Sequence, residues 1–217
     1  MADKRYKIVY EDKWLIVVDK PSGMLVIPTP RKETNTLTDI LNKELDRRGI
    51  EVNAYPCHRL DRETSGLIIY AKGKSVQKLM MEKFGAKEVA KKYTALVHGD
   101  VRNDHGMIDK PLYNRNKREN LSALTRYRVL ERRGAFTVIE VEPVTGRTNQ
   151  IRIHFSRIGH PLVGESVYAF RKDFKLKFRR AALHAARIEF KHPVTGEALI
   201  FESPLPEDMK NFINERR

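Results

Sequence analysis

Short runs of β-branched and aromatic residues, each closed by a turn signal, recur along most of this 217-residue chain. Runs of this length are typical of strands rather than helices. Several of them stand in pairs divided by a few polar or glycine-containing residues, which predicts antiparallel hairpins. The predicted strands lie at 8–10, 14–18, 67–71, 91–97, 123–133, 136–141, 183–190 and 198–202. The chain therefore folds around a sheet.

Four segments instead repeat their apolar residues with the helical period. The first has Thr36 as its predicted N-cap and Gly49 as its stop, the second covers 75–84, and the last begins at Pro206. Residues 148–159 fit either period, and we choose a helix capped by Thr148 and stopped by Gly159. The residues predicted to face inward are Leu37, Ile40, Leu41, Leu45, Val76, Leu79, Met80, Phe84, Ile151, Phe155, Ile158, Met209, Phe212 and Ile213. The polar stretch 100–121 is predicted to be a surface segment that could contact a partner.

The charge balance indicates a polyanionic partner. Lys and Arg number 42 against 28 Asp and Glu, a net charge of +14, which is typical of nucleic-acid-binding proteins. A membrane surface is the competing partner, but no apolar run approaches the roughly 18–20 residues of a spanning helix. One cysteine cannot form an internal disulfide, so we expect a cytoplasmic chain. With 41% apolar residues the chain is expected to form a single domain over 1–217.

The densest group of charges stands immediately before the predicted strand at 67–71. Asp61 lies between Arg59 and Arg62, and a Thr-Ser-Gly turn signal follows. Flanking guanidiniums favour the ionised carboxylate, so Asp61 could act as a nucleophile or base near neutral pH. A structural salt bridge is the alternative, and by composition alone it is the commoner outcome. Composition does not decide between these two hypotheses.

The residues from His58 to Gly66, reading H-R-L-D-x-x-T-S-G, resemble the signature of the RluA-type pseudouridine synthases. In that family the aspartate is catalytic, so the resemblance implies a catalytic role for Asp61. The segment 92–99 is similar to the second motif of the family, which implies that Tyr93 lies against the target base. The segment 19–26, with its Lys-Pro-x-Gly turn, resembles the N-terminal segment of the same family, although such turns are also ordinary exits from hairpins.

The segment 146–154 is similar to the third motif of the family, and Arg152 corresponds to the arginine that pairs there with the catalytic aspartate. Asn149 replaces the usual histidine, which puts a local support contact in doubt, and Glu165 stands where aspartate is common. The resemblance also implies further substrate-binding residues. These are Arg59, as the side chain that fills the gap left by the extruded base, Arg62, Arg147, and Leu183 beside the active base.

The resemblance implies an α+β fold with a mixed, mainly antiparallel central sheet, flanking helices and an RNA-binding cleft. It implies an RNA pseudouridine synthase acting on structured ribosomal or transfer RNA as a monomer, in a small form without an N-terminal RNA-binding extension. Isomerising uridine requires neither cofactor nor metal. The spacing of His58, His154 and His160 does not match a known metal site, so we expect these histidines to pack or to form hydrogen bonds.

Two other classes of function remain open. A non-catalytic RNA-binding or ribosome-assembly protein would explain the charge but not an aspartate among arginines. A glycoside hydrolase or nucleosidase could use Asp61 as its nucleophile but would require a second carboxylate as the acid, and Glu63 is too close in sequence. Cys57 with His58 as its base is set aside, because a lone cysteine is usually a small buried apolar residue.

Overall fold

The computed structural model describes residues 6–30, 33–114, 117–169 and 176–216. The chain divides into two compact units. The first unit consists of Met1–Val89 and Arg187–Ser203, and the second of Ala90–Ala186 and Pro204–Arg217. Within the described ranges, no helix is long and apolar enough to cross a membrane.

The first unit is built on antiparallel strands that lie in the order β1-β2-β4, with β3 also pairing with β4. Near the end of the unit, β12 pairs with the part of β11 that follows Ala186. The elements are β1 (Lys7–Glu11), β2 (Leu15–Lys20), α1 (Leu37–Arg47), β3 (Ala54–Pro56), β4 (Ser65–Lys72), α2 (Lys74–Gly85), β11 (Leu183–Lys191) and β12 (Ala198–Glu202). All the predicted strands of this unit are confirmed.

Helix α1 begins and ends where the sequence predicts. The backbone N–H of Asp39 donates to the Thr36 hydroxyl, and the Thr36 N–H donates back to the Asp39 carboxylate at 2.9 Å. This reciprocal capping satisfies donors that a helix start otherwise leaves unpaired. Gly49 follows the helix with a φ of +70°, which glycine adopts without strain. The four leucine and isoleucine residues predicted to face inward are buried.

Helix α2 corrects one prediction. Val76 and Met80 are buried, and Phe84 packs against the same apolar cluster as a partly buried residue. Leu79, predicted to face inward, is 40% exposed. The buried stripe follows the spacing i, i+4, i+8, which places Leu79 beyond its edge.

The second unit has a four-stranded antiparallel order, β5-β10-β9-β6, and a separate ribbon formed by β7 and β8. Its elements are β5 (Ala90–His98), β6 (His105–Asp109), β7 (Leu112–Asn114), β8 (Glu119–Leu121), β9 (Leu124–Arg132), β10 (Phe136–Pro143), α3 (Gln150–Arg157), the first residues of β11, and α4 (Glu207–Asn214). The predicted hairpin of β9 and β10 is confirmed. The predicted surface segment 100–121 contains three strands that the sequence did not reveal.

Helix α3, in the second unit, confirms the helical choice for residues 148–159 but shifts its cap. Helix α3 begins at Gln150 with Asn149 as its N-cap, so the prediction of Thr148 as the cap is wrong. Asn149 adopts a left-handed conformation with a φ of +53°, which asparagine tolerates better than threonine does. Helix α4 buries Met209 and Phe212, and the Phe212 ring packs on the edge of Phe136 at 5.2 Å.

Described strands and helices together give the α+β class that was predicted. Within each unit, the paired strands run antiparallel over all their described residues. A core cluster in the first unit gathers side chains from β2, β4 and α2, and a core cluster in the second unit places α4 on β10. Each unit therefore has an apolar core that can hold its loops in place.

Candidate active site

Asp61 lies in the short loop between β3 and β4. Its main-chain carbonyl accepts a hydrogen bond from the N–H of Thr64 at 3.1 Å, which closes a turn. Leu60 before it and Thr64 after it are buried, whereas Asp61 is partly exposed and Arg59 and Arg62 are exposed. Asp61 and Arg62 thus lie between two buried residues that hold the loop to the protein.

A buried lysine fastens this loop. Lys20, at the end of β2, is 0% exposed, and its ammonium group donates to the carbonyl oxygens of Pro21 and Met24 at 2.9 Å and of Arg62 at 3.4 Å. The N–H of Gly23 donates to the same Arg62 carbonyl at 2.8 Å, and Arg62 Nε donates to the Gly23 carbonyl at 3.1 Å. A buried ammonium is costly without such acceptors. The Lys-Pro-x-Gly turn is therefore tied to the residue that follows Asp61.

Cys57 and His58, just before this loop, have structural contacts. Burial raises the pKa of the Cys57 thiol to about 12, so the thiol stays protonated at neutral pH and is no nucleophile. His58 Nε2 accepts the backbone N–H of Ile69 at 3.1 Å, so this nitrogen carries no proton. Both residues help to join the loop to β4.

Tyr93 lies in β5, opposite Val141 of β10, and is 8% exposed. Ala95 and Val97, which alternate with it on the same side, are fully buried. Burial lowers the pKa of Lys91, two residues earlier on that side of the strand. The sequence-based alternation is confirmed, and the tyrosine ring is almost entirely enclosed by protein.

Arg152, on α3, is 7% exposed and forms a bidentate ion pair with Glu165. Its Nε donates to Oε2 and its Nη2 to Oε1, each at 2.7 Å. The Glu165 side chain is fully buried and also accepts the backbone N–H groups of Ser166, Val167 and Tyr168 at 2.9, 2.8 and 3.3 Å. Burial alone would raise the pKa of Glu165, but hydrogen bonds from Arg152 and the backbone outweigh it and lower the pKa. Glu165 is therefore ionised at neutral pH.

Asn149 provides the local contact that its replacement of a histidine had put in doubt. Its Nδ2 donates to the Tyr168 hydroxyl at 2.7 Å, and its Oδ1 lies 3.5 Å from Arg152 Nη1. The Arg152 guanidinium carbon lies 5.3 Å from the centre of the Tyr168 ring, a distance typical of a cation–π contact. Asn149 and Glu165, the two departures from the motif, thus meet at Arg152.

Arg147 and Leu183 each take part in a hydrogen bond that a main-chain carbonyl group accepts. Arg147 is exposed, and its Nε donates to the Ser122 carbonyl at 3.0 Å. Leu183 is buried, and its carbonyl accepts Arg180 Nη1 at 3.1 Å. Arg180 is itself 6% exposed and pairs with Asp208 at 2.7 Å, which ties the start of β11 to α4.

Five polar side chains that support the motif residues were not identified from sequence: Lys20, Gln150, Glu165, Tyr168 and Arg180. Gln150 is 4% exposed and bonds to Thr145, Leu124 and the backbone N–H of Arg147, which fixes the turn before α3. The sequence marked Glu165 as a departure and Lys20 as part of a turn. Those two features could have indicated supporting roles for Glu165 and Lys20. The local sequence around Gln150, Tyr168 and Arg180 contains no pattern that indicates such a role.

His154 and His160 form hydrogen bonds, as predicted. His154 lies between the Thr125 hydroxyl and the Lys110 carbonyl, each at 2.9 Å, and burial lowers its pKa. His160 Nδ1 lies 2.8 Å from the His98 carbonyl. No group of three or more His, Cys, Asp or Glu side chains suited to a metal ion occurs in the part of the chain that the structure describes.

The structure distributes the predicted site residues over both units. Asp61, Arg59 and Arg62 belong to the first unit, and Tyr93, Arg147, Arg152 and Leu183 to the second. Within the second unit, Arg152 is joined to Glu165, Asn149 and Tyr168.

Gly164, directly before Glu165, tests how tightly this segment is packed. Its φ is +78°, and a Cβ added there would overlap the Arg180 carbonyl oxygen. We expect Gly164→Ala to lower the free energy of unfolding by about 3 kcal/mol or more, measured by urea denaturation. Gly159→Ala is the matched control, because its φ is +82° and nothing lies within 4 Å, so only the backbone cost of about 1–2 kcal/mol applies. Equal losses in both variants would contradict this account of Gly164.

Comparison with known proteins agrees with the resemblance read from the motifs. A family model described as RNA pseudouridylate synthase matches residues 14–157. An uncharacterised RNA pseudouridine synthase of Bacillus subtilis, YlyB, is 42% identical over 97% of this chain and 72% of its own length. The ribosomal large subunit pseudouridine synthase D of Pseudomonas aeruginosa is 37% identical over 95% of this chain and 70% of its own.

Solved structures show the same fold. The human RNA pseudouridylate synthase domain containing 4 superposes with a TM-score of 0.80 at 24% identity, covering 95% of this chain and 91% of the other. The human RNA pseudouridylate synthase domain containing 1 superposes with a TM-score of 0.74 at 23% identity, over 97% and 94%. The predicted fold class is confirmed, and the chain belongs to the family of RNA pseudouridine synthases, enzymes that isomerise uridine in RNA.

Proposed function

We propose that this chain converts specific uridines of structured ribosomal or transfer RNA to pseudouridine, and that residues 1–217 act as one monomeric catalytic domain. Asp61 is the nucleophile or base. The observation that carries the role of Asp61 is its loop, in which a fully buried Lys20 fixes the main chain at the next residue while Asp61 itself stays partly exposed. A reacting group requires both a fixed backbone and access to substrate.

Support for an RNA substrate comes from charge and from relatives. The chain carries a net charge of +14, and several relatives are named for the large ribosomal subunit. A uridine within a stem must be extruded before its sugar can be reached, at a cost of a few kcal/mol. Arg59 is exposed in the Asp61 loop, and we propose that it fills the gap left by the extruded base. Arg62, Arg147 and Leu183 are proposed to contact the substrate.

The proposed reaction takes place within one nucleotide. The bond from uracil N1 to the ribose C1′ breaks, the base turns, and a bond from C5 to C1′ forms while the C5 proton leaves. Asp61 starts the sequence by attacking C1′, in which case its bond to C1′ breaks again as C5 bonds there, or by removing the 2′ proton, in which case that proton is returned as C5 bonds to C1′. Tyr93 packs against the base, and its hydroxyl oxygen takes the C5 proton as the hydroxyl releases its own proton to water, while N1 takes up a proton from water. Arg152 supplies a positive charge that favours the ionised carboxylate.

Product analysis tests this function. Incubating the protein with RNA that carries tritium at uridine C5 should release tritium to water, because C5 loses its hydrogen when it bonds to C1′. The digested RNA should contain an isomerised nucleoside with the mass of uridine. Free uracil would show a nucleosidase instead, and binding without either product would show the non-catalytic RNA-binding or ribosome-assembly protein. Using ribosomal and transfer RNA in separate reactions identifies the substrate class.

A further inference from the structure

The guanidinium of Arg152 is held from three sides by side chains of its own unit. Glu165 binds the edge formed by Nε and Nη2, Asn149 Oδ1 lies 3.5 Å from Nη1, and the ring of Tyr168 lies 5.3 Å from the guanidinium carbon. We infer that Glu165, Asn149 and Tyr168 form a cradle that positions Arg152 for the reaction. The inference rests on the proposed function, in which Arg152 is a catalytic residue.

The geometry of the cradle fixes the orientation of the guanidinium as well as its place. Two parallel hydrogen bonds of 2.7 Å to one carboxylate set the plane of the guanidinium group. A free arginine side chain has many rotamers, and this freedom is lost when it is held. Because the folded protein has already fixed the side chain, the reaction does not have to order it. The cradle therefore acts on the rate of the chemical step.

Glu165 is itself held rigidly enough to serve as the support. Its side chain is fully buried, three successive backbone N–H groups donate to its Oε1, and its pKa is lowered. The carboxylate thus remains charged and cannot rotate away from Arg152. The Asn149 amide adds a link by donating to the Tyr168 hydroxyl at 2.7 Å.

An ion pair that only stabilises the fold would show the same contacts, so kinetics must separate the two roles. Glu165→Gln keeps the size of the side chain and removes its charge. We expect kcat to fall by roughly 10- to 100-fold, while KM for RNA stays within about 2-fold. Glu165→Asp restores the charge on a shorter side chain and should recover kcat to within about 10-fold of the wild type.

Two less disruptive substitutions test the same inference if the Glu165→Gln variant does not fold. Tyr168→Phe removes only the hydroxyl that accepts from Asn149, and Asn149→Gly removes the amide while tolerating the left-handed backbone. Each should lower kcat by roughly 3- to 10-fold with little change in KM. Phe212→Leu, in the apolar core of the same unit, is the stability control. It should lower the melting temperature and leave kcat unchanged below that temperature.

Three outcomes would overturn the cradle. They are unchanged kcat in the folded Glu165→Gln variant or, if that variant does not fold, in both Tyr168→Phe and Asn149→Gly, a rise in KM without a fall in kcat, and an equal fall in kcat in Phe212→Leu at matched stability. The result is distinct from a failure of the proposed function. If the wild-type protein releases no tritium, the function itself fails, whereas an active wild type with an unaffected Glu165→Gln variant refutes only the cradle.

Discussion

Replacing Asp61 with asparagine is expected to abolish tritium release, with kcat lowered by roughly 10³-fold or more. Asparagine has nearly the same size but cannot ionise, so it can neither attack the sugar nor remove its proton. The turn through the Asp61 carbonyl and Thr64 N–H uses only the main chain and should persist. Single-turnover tritium release, measured with the protein in excess over RNA, gives the rate of the chemical step.

Glu63→Gln is the matched control for Asp61→Asn, because it removes a carboxylate two residues away in the same loop. We expect its rate to stay within about 3-fold of the wild type, since the proposed reaction needs one carboxylate. RNA affinity should be similar for both variants. Full tritium release by Asp61→Asn, or an equal loss in Glu63→Gln, would refute the assignment of Asp61.

Replacing Arg152 with methionine has the second largest expected effect. Activity should fall by about 10²-fold or more, far beyond any loss of RNA affinity, because in the proposed reaction the positive charge of Arg152 favours the ionised form of Asp61. The structure adds that this substitution leaves the Glu165 carboxylate buried without its arginine. Breaking a buried ion pair in this way costs about 3–5 kcal/mol of stability. Part of the loss in the single variant would therefore come from unfolding.

The double variant Arg152→Met with Glu165→Gln separates stability from catalysis. Removing the orphaned charge should restore much of the lost free energy of unfolding, measured by urea denaturation. Tritium release should stay as low as in Arg152→Met alone. Equal losses of RNA affinity and activity would instead make Arg152 a phosphate contact, and recovery of activity in the double variant would show that stability alone was affected.

The elements with their own apolar period were predictable from sequence, and those without one were not. Helix α1 has a capping threonine, four inward residues and a stopping glycine, so its limits follow from local chemistry. Strands β6 and β7 bury Ile108 and Leu112, but most of their remaining residues are polar or exposed. Pairing decides that they are strands, β6 with β9 and β7 with β8, and mainly polar segments of three to five residues have no apolar period of their own.

The same distinction applies to the candidate site. Asp61, Tyr93 and Arg152 stand in continuous motifs, so the sequence could nominate them, and their catalytic roles stay predictions. Their supports are not local, since Lys20 reaches a carbonyl 42 residues away and Glu165 lies 13 residues from Arg152. The left-handed backbone at Asn149 also shifted a cap that composition had placed at Thr148. Contacts of this kind depend on the tertiary fold.

The Lys20 ammonium group grips its loop through carbonyl oxygens, which every amino acid possesses. These hydrogen bonds therefore do not depend on which side chains stand at the positions whose carbonyl groups accept them. Met24 can be exchanged without loss of its bond to Lys20, and exchanging Arg62 keeps the bond from Lys20 to its carbonyl while removing the bond from its Nε to Gly23. Substitutions can thus change the side chains around Asp61 to suit another RNA while the main chain next to the aspartate stays held by Lys20.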